Sequence, residues 1–148
     1  MRLSIDLDTL AVSDYTGSAV QALSARRGDV FPVQVRFTQG GVVKELPHAA
    51  TGKLAIKSAQ DYSGPMVAGG NSWRKMGYGS AAYYVFPLSM DTEPVAEAFA
   101  SLSGELAQVS FVLEIEWAYR GLRRTSRAVT FTVDNDYTRP GDQAPGIL

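Results

Sequence analysis

Residues 109–142 read VSFVLEIEWAYRGLRRTSRAVTFTVDNDYTRPGD, and the fold class follows from this stretch. Val109, Phe111, Leu113, Ile115 and Trp117 fall on one phase of a period-two pattern. Ser110, Glu114 and Glu116 fall on the other, with Val112 its one apolar member. Alternate side chains of an extended chain point to opposite faces, so this run specifies a half-buried strand. Val129, Phe131 and Val133 repeat the pattern against Thr130 and Thr132. A polar connection around Gly121 joins the two runs. Together they predict a long antiparallel hairpin with Trp117 in the core. Beyond it the composition changes abruptly to Asp, Asn, Pro and Gly.

The same periodicity recurs outward from the hairpin. Leu3, Ile5 and Leu7 predict a strand over 2–8. Phe31, Val33, Val35 and Phe37 predict another, with Pro32 suited to an edge or first position because it cannot donate to a ladder. Gln39-Gly40-Gly41 turns this strand into 42–46 as a hairpin. Leu54 and Ile56 mark a strand over 53–58. Tyr84, Phe86 and Leu88, opposite Tyr83 and Val85, mark one over 82–88. After a turn at Gly17 and Ser18, residues 19–25 fit either a short strand or a helical turn. Residues 59–80, rich in Gly, Ser, Asn and Tyr, read as the longest irregular segment.

One helix is predicted, over about 92–103. Val95, Ala98, Phe99 and Leu102 form a stripe at helical spacing. Thr92 or Asp91 can cap it, Pro94 suits the first turn and Gly104 can end it. The expected fold is mainly β: an antiparallel β-sandwich or open barrel with one short packed helix. Residues 1–137 form a single domain, and 138–148 an extended C-terminal arm.

Composition narrows the function. A chain of 148 residues, 45% hydrophobic, suits one domain with a sizeable core. A net charge of −1 gives no global pull toward nucleic acid or anionic membranes. Zero cysteines exclude disulfides and thiolate metal sites. No apolar run approaches the roughly 20 residues of a membrane span. The start, MRLSIDLDTL, alternates and carries two Asp residues, so no Sec-type address is expected.

The chemistry-bearing residues favour structure over catalysis. His48, the one histidine, sits in Pro-His-Ala-Ala and has no Cys or second His to work with, so an exposed loop side chain is expected. Asp134-Asn135-Asp136 offers oxygens to calcium but lacks further acidic ligands, and Asx turns explain it as well. Arg27-Gly28-Asp29 reads as the turn before a strand. Glu114 and Glu116 share a strand face at about 7 Å, a spacing open to glycosidase chemistry or to a plain solvated face. No catalytic residue, cofactor or metal is expected, and the chain is read as a non-enzyme.

Contacts are expected elsewhere. Trp73 and Tyr78, with Tyr83 and Tyr84, could stack on a sugar or pin their own loop. Arg120, Arg123 and Arg124, with Arg127, form a basic hairpin tip suited to a protein contact, offset by Glu114 and Glu116. Ile147 and Leu148 are an apolar pair on a polar tail, each worth about 1.5–3 kcal/mol if buried in a neighbour's groove.

Four phrases carry a resemblance: RRGDVFPVQVRFTQGGVVKELP, ATGKLAIKSAQDYSGPMVAGGNSW, VSFVLEIEW and FTVDNDYTRPGD, spanning about 26–142. Together they resemble a family of short phage and prophage structural proteins of the tail-fibre or baseplate-associated kind. The resemblance implies a compact β-domain that begins with an Arg-Gly-Asp turn. It implies an end on a strand followed by Asn135-Asp136 and Gly141-Asp142. It implies an attachment module made in a bacterial cytoplasm and built into a phage-like particle. Its partners would be copies of itself or other particle proteins, not nucleic acid or membrane. It implies no catalytic residues. No fibre shaft or receptor-binding tip is expected in these residues, and residues 1–25 fall outside the resemblance. The alternative reading is a carbohydrate-binding module using the loop aromatics.

Overall fold

Alternation along the chain becomes two packed sheets in the computed structural model, which describes residues 1–60, 64–100 and 107–135. In chain order the first elements are β1 (Arg2–Asp6), β2 (Val12–Ser13), β3 (Ala22–Arg26), β4 (Val30–Gln39), β5 (Val42–Lys44) and β6 (Thr51–Ser58). Then come β7 (Ala68–Gly70), β8 (Arg74–Met76), β9 (Tyr83–Ser89) and helix α1 (Glu93–Ala100). The last are β10 (Gln108–Tyr119), β11 (Leu122–Thr125) and β12 (Val129–Asp134). The first sheet runs β2-β1-β4-β9-β8 with β5 beside β4. The second runs β3-β12-β10-β6-β7 with β11 beside β10.

The fold is therefore a β-sandwich with one short helix, and its sheets are mixed rather than purely antiparallel. β1 lies parallel to β4, and β3 parallel to β12. Both parallel pairs join strands far apart in sequence, so local periodicity carries no sign of them. The predicted inward residues close the core. Val33, Val35 and Phe37 of β4, Phe86 and Leu88 of β9, and Leu113 and Ile115 of β10 are fully buried. Trp117 is 6% exposed and meets Phe37 edge-on at 4.9 Å between ring centroids.

The predicted long hairpin is present, with its return arm broken in two. Tyr119 pairs with Leu122 across a two-residue turn, with Arg120 at φ 51° and Gly121 at φ 77°. Positive φ at both central residues gives the strand twist that tight hairpins need. Register then slips. Three steps along β10, from Glu116 to Leu113, face four steps from Thr125 to Val129. The extra residue makes a bulge. Ser126 fills it: its Oγ accepts the Ile115 N–H at 3.0 Å, and its own N–H donates to the Ile115 carbonyl at 2.8 Å.

Several expectations shift. The first strand stops at Asp6, because its carboxylate accepts the N–H groups of Asp8 and Thr9 and turns the chain. Residues 22–26 are a strand, paired with β12. Pro32 lies in a strand flanked by β1 and β9, but β1 pairs with it only from Gln34 onward, so Pro32 stands at a locally open edge. It faces Pro87 in register. Antiparallel ladders alternate between pairs that exchange hydrogen bonds and pairs that exchange none, and two prolines fit only the second kind. The region 59–80 is not one irregular segment, for it holds β7, β8 and a 3-10 turn at Gly79–Ala81. Three-residue strands show no period of their own; pairing with β6 and β9 creates them. The helix covers Glu93–Ala100 of the predicted 92–103, and Leu102 and Gly104 lie outside the described residues. Thr92 Oγ1 accepts the Val95 N–H at 3.3 Å as the cap and donates to the Val67 carbonyl at 2.8 Å. Val95 and Phe99 bury the helix stripe.

Candidate functional site

The outer face of the first sheet carries the site. Residues paired across a sheet share a face, so register places Val30, Pro32, Pro87, Val85 and Arg74 together. They line an open groove of about 540 Å³ with Phe31, Ser72 and Trp73. Val30 is 70% exposed, and Pro32 and Pro87 are exposed too. These side chains leave an apolar strip on the outer face of the sheet.

The two prolines explain why this face is bare. At an unbonded pair each backbone nitrogen points away from the other strand. Pro32 therefore faces the flank of β1, and Pro87 the flank of β8. β1 begins its pairing at Arg2 opposite Gln34, with the Gln34 N–H reaching the Met1 carbonyl. β8 pairs no further than Arg74 opposite Val85. Both flanking strands stop where the prolines have no N–H to give, so the ladder leaves an open apolar floor. Arg74 stands at one end, with no ion-pair partner among the described residues.

Trp73 walls this groove on one side and a smaller cleft on the other. Of its two expected roles, stacking on a sugar or pinning its own loop, the packing fits the second: its ring lies 4.3 Å from Tyr84, 5.7 Å from Phe86 and 5.8 Å from Phe37. A Cβ on Gly52 would overlap its six-membered ring, so that strand position must be glycine for the indole to lie there. Tyr84 is also core, and its hydroxyl accepts the Leu46 N–H at 2.9 Å. Tyr78 alone of the predicted pair is fully displayed, 81% exposed, with Lys75 Nζ 4.8 Å over its ring. The aromatic platform is thus dispersed, because Tyr84 belongs to the core and Trp73 packs half-buried against it.

The cleft beside Trp73 measures about 260 Å³ and takes Pro47, His48, Asn71 and Lys75 into its lining. His48 is exposed, as predicted. Lys75 is held by Glu45 at 3.0 Å. The Gly79 N–H, first, and Lys75 pull the Glu45 carboxyl below its usual range.

The basic tip is partly neutralised. Arg123 pairs with Glu116 at 3.1 Å, Arg120 lies 5.2 Å over the Tyr119 ring, and Arg124 is exposed. Arg127 Nε donates to the Thr9 carbonyl at 3.0 Å. Glu114 does not join this network. Burial raises its pKa, with Glu116 adding to the rise and Lys57 opposing it.

The remaining motifs resolve into structure. Gly28 sits at φ 91° in a turn, where Asp29 Oδ2 accepts the Arg26 N–H at 2.9 Å. Arg27 donates to Asn135 Oδ1 at 3.0 Å and lies 5.6 Å over the Phe99 ring. Asn135 is thus committed to the turn, and Asp136 lies outside the described residues. So do Ile147 and Leu148 and the whole predicted arm, 138–148. No group of three or more His, Asp or Glu side chains gathers among the described residues. No helix among them is long and apolar enough to cross a membrane. The groove residues were missed in the sequence. The usable signal was Pro32 and Pro87, each set within a strong alternation.

No family model matches the chain. No curated protein matches its sequence. Among solved structures, it is similar to the N-terminal domain of phage TP901-1 ORF48, at 8% identity and a TM-score of 0.41. The match covers 90% of this chain and 96% of that one.

Proposed function

We propose that this chain is a non-enzymatic structural protein of a phage-like particle, a tail or baseplate component that works through protein–protein contacts. The observation that carries the contact role is the apolar groove of Val30, Pro32, Val85 and Pro87 on the outer face of the first sheet. A lone soluble domain gains nothing from displaying that floor to water, whereas an assembled subunit buries it. The placement in a phage-like particle rests on the sequence resemblance. Partners are other copies of the chain or other particle proteins.

Light scattering after size-exclusion chromatography tests this, with electron microscopy of the native particle. The expected result is a concentration-dependent assembly that Val85→Glu weakens at least tenfold. A strictly monomeric protein, absent from the particle, would overturn it.

Carbohydrate binding is the second reading, favoured by the cleft that joins Trp73 to Asn71, His48 and Lys75. Its volume, about 260 Å³, falls short of the roughly 300–1,000 Å³ typical of ligand pockets. Specific binding on a glycan array, lost in Asn71→Ala, would promote it.

A further inference from the structure

We propose that the outer face of the first sheet pairs with the same face of a second copy about a two-fold axis, each copy's Asp91 and Glu93 meeting the other's Arg74 and Arg2. This rests on the assembly reading above and names its partner. Three observations carry it.

The first is a basic row. Register lines up Arg2, Gln34, Val85 and Arg74 across β1, β4, β9 and β8. The two arginines are exposed and end that row, three strand spacings or about 14 Å apart. Neither has an ion-pair partner among the described residues. The next row holds Pro32 and Pro87, and the one after it Val30 and Ser89. None of these side chains is acidic, so nothing within the rows answers the two cations.

The second is an acidic border beyond Val30. β9 ends at Ser89, and the Met90 N–H donates to the Asp29 carbonyl, which holds the chain in line one residue further. Alternation sends Ser89 outward, buries Met90 and turns Asp91 outward again. Glu93 opens α1 two residues later. Asp91 and Glu93 are exposed and make no ion pair among the described residues, whereas Glu45 is held by Lys75 and Glu116 by Arg123.

The third is the order of these patches. Along the strands come the basic row, two rows with the exposed apolar side chains, and then the acidic border. From Gln34 to Val30 is about 13 Å, and from Gln34 to the level of Asp91 roughly 20 Å. Both charged patches sit on one packed domain, so the chain cannot bring them together itself. A surface that pairs with its own copy must carry complementary patches on either side of the axis. A two-fold axis between the faces, crossing the strands between Pro32 and Val30, runs the strands of one copy against those of the other. Each acidic border then lies over the opposite basic row, and the apolar rows close on each other. Pro32 and Pro87 have no N–H with which to extend a ladder, so the copies pack face to face rather than strand to strand. Such a contact closes at two copies and leaves the Arg120–Arg124 hairpin tip outside it.

Two full-length variants test the pairing by light scattering after size-exclusion chromatography: Arg2→Glu/Arg74→Glu and Asp91→Lys/Glu93→Lys. All four positions are exposed, and circular dichroism checks that each variant is folded. Wild type is expected to stop at the mass of a dimer. Each variant alone sets like charges together at both contacts and should dimerise at least tenfold more weakly. Mixed one to one, the two variants match at both contacts and should recover wild-type dimerisation. Arg124→Glu, at the hairpin tip, should leave it unchanged. If a double variant fails to fold, Arg74→Glu and Asp91→Lys are mixed under the same criteria. A mixture that does not recover would overturn the inference. So would masses that grow past the dimer, or an equal loss with Arg124→Glu. A monomeric wild type that is still built into the particle would also end the two-fold pairing, while the assembly reading would stand through another particle protein. A monomer absent from the particle would end both.

Discussion

Gly52→Ala is a one-methyl change whose cost can be worked out from its neighbours. Gly52 lies in β6 opposite Trp117 and is buried. The new Cβ would overlap Cε3, Cζ3 and Cδ2 of Trp73. The ring cannot swing aside freely, because Tyr84, Phe86 and Phe37 surround it at 4.3, 5.7 and 5.8 Å. Overpacking of this kind costs about 1–3 kcal/mol. Each disturbed aromatic pair adds about 0.5–1.5 kcal/mol. Replacing a strand glycine returns about 0.5–1 kcal/mol of backbone entropy. The net expectation is a loss of about 2–3 kcal/mol, or roughly 5–10 °C in melting midpoint for a chain of this size. Urea unfolding followed by circular dichroism measures it. The cause is isolated by repeating the change in Trp73→Leu, where no ring stands in the way. There Gly52→Ala should be neutral or slightly stabilising, a coupling of at least about 1.5 kcal/mol. Equal destabilisation in both backgrounds would refute the account, and so would no effect in either.

Three further outcomes follow from the same structure. Trp117→Ala should cost about 3–5 kcal/mol, as large-to-small core changes do; an unchanged melting midpoint would mean that the β10 face is assigned backwards. Ser126→Ala should cost about 1–3 kcal/mol by stranding the Ile115 N–H at the bulge. Increased hydrogen exchange at Ile115 would locate the damage there. Glu114→Gln should stabilise the protein near pH 7 and do little near pH 4. A raised carboxyl pKa means that the folded form holds the proton more tightly than the unfolded chain. The penalty is therefore absent below the ordinary value of 4.5 and grows as pH rises through the raised one. Thermal melts at both pH values check this, and a greater loss for Gln at neutral pH would sink it.

The sequence determined which residues face inward. Alternation in β4, β9 and β10 and the stripe of α1 are local consequences of backbone geometry, so Phe37, Phe86, Trp117 and Phe99 were legible as core before any contact was known. Turn chemistry was equally local: Gly40-Gly41, Gly28-Asp29 and Thr92 act within a few residues of themselves. What lay beyond the sequence were pairings between distant segments. The parallel neighbours β1/β4 and β3/β12, and the strands β7 and β8 that exist only by pairing, depend on loop closure that no periodicity encodes. The bulge at Ser126 depends on register. The candidate site belongs to that second class. Pro32 and Pro87 are 55 residues apart and become a groove floor only when β4 and β9 align them. Trp73, in a Gly-rich stretch, looked available for stacking. Only the tertiary structure, by bringing a bare Gly52 and three aromatic rings around it, decided that it packs against the core as a half-buried wall.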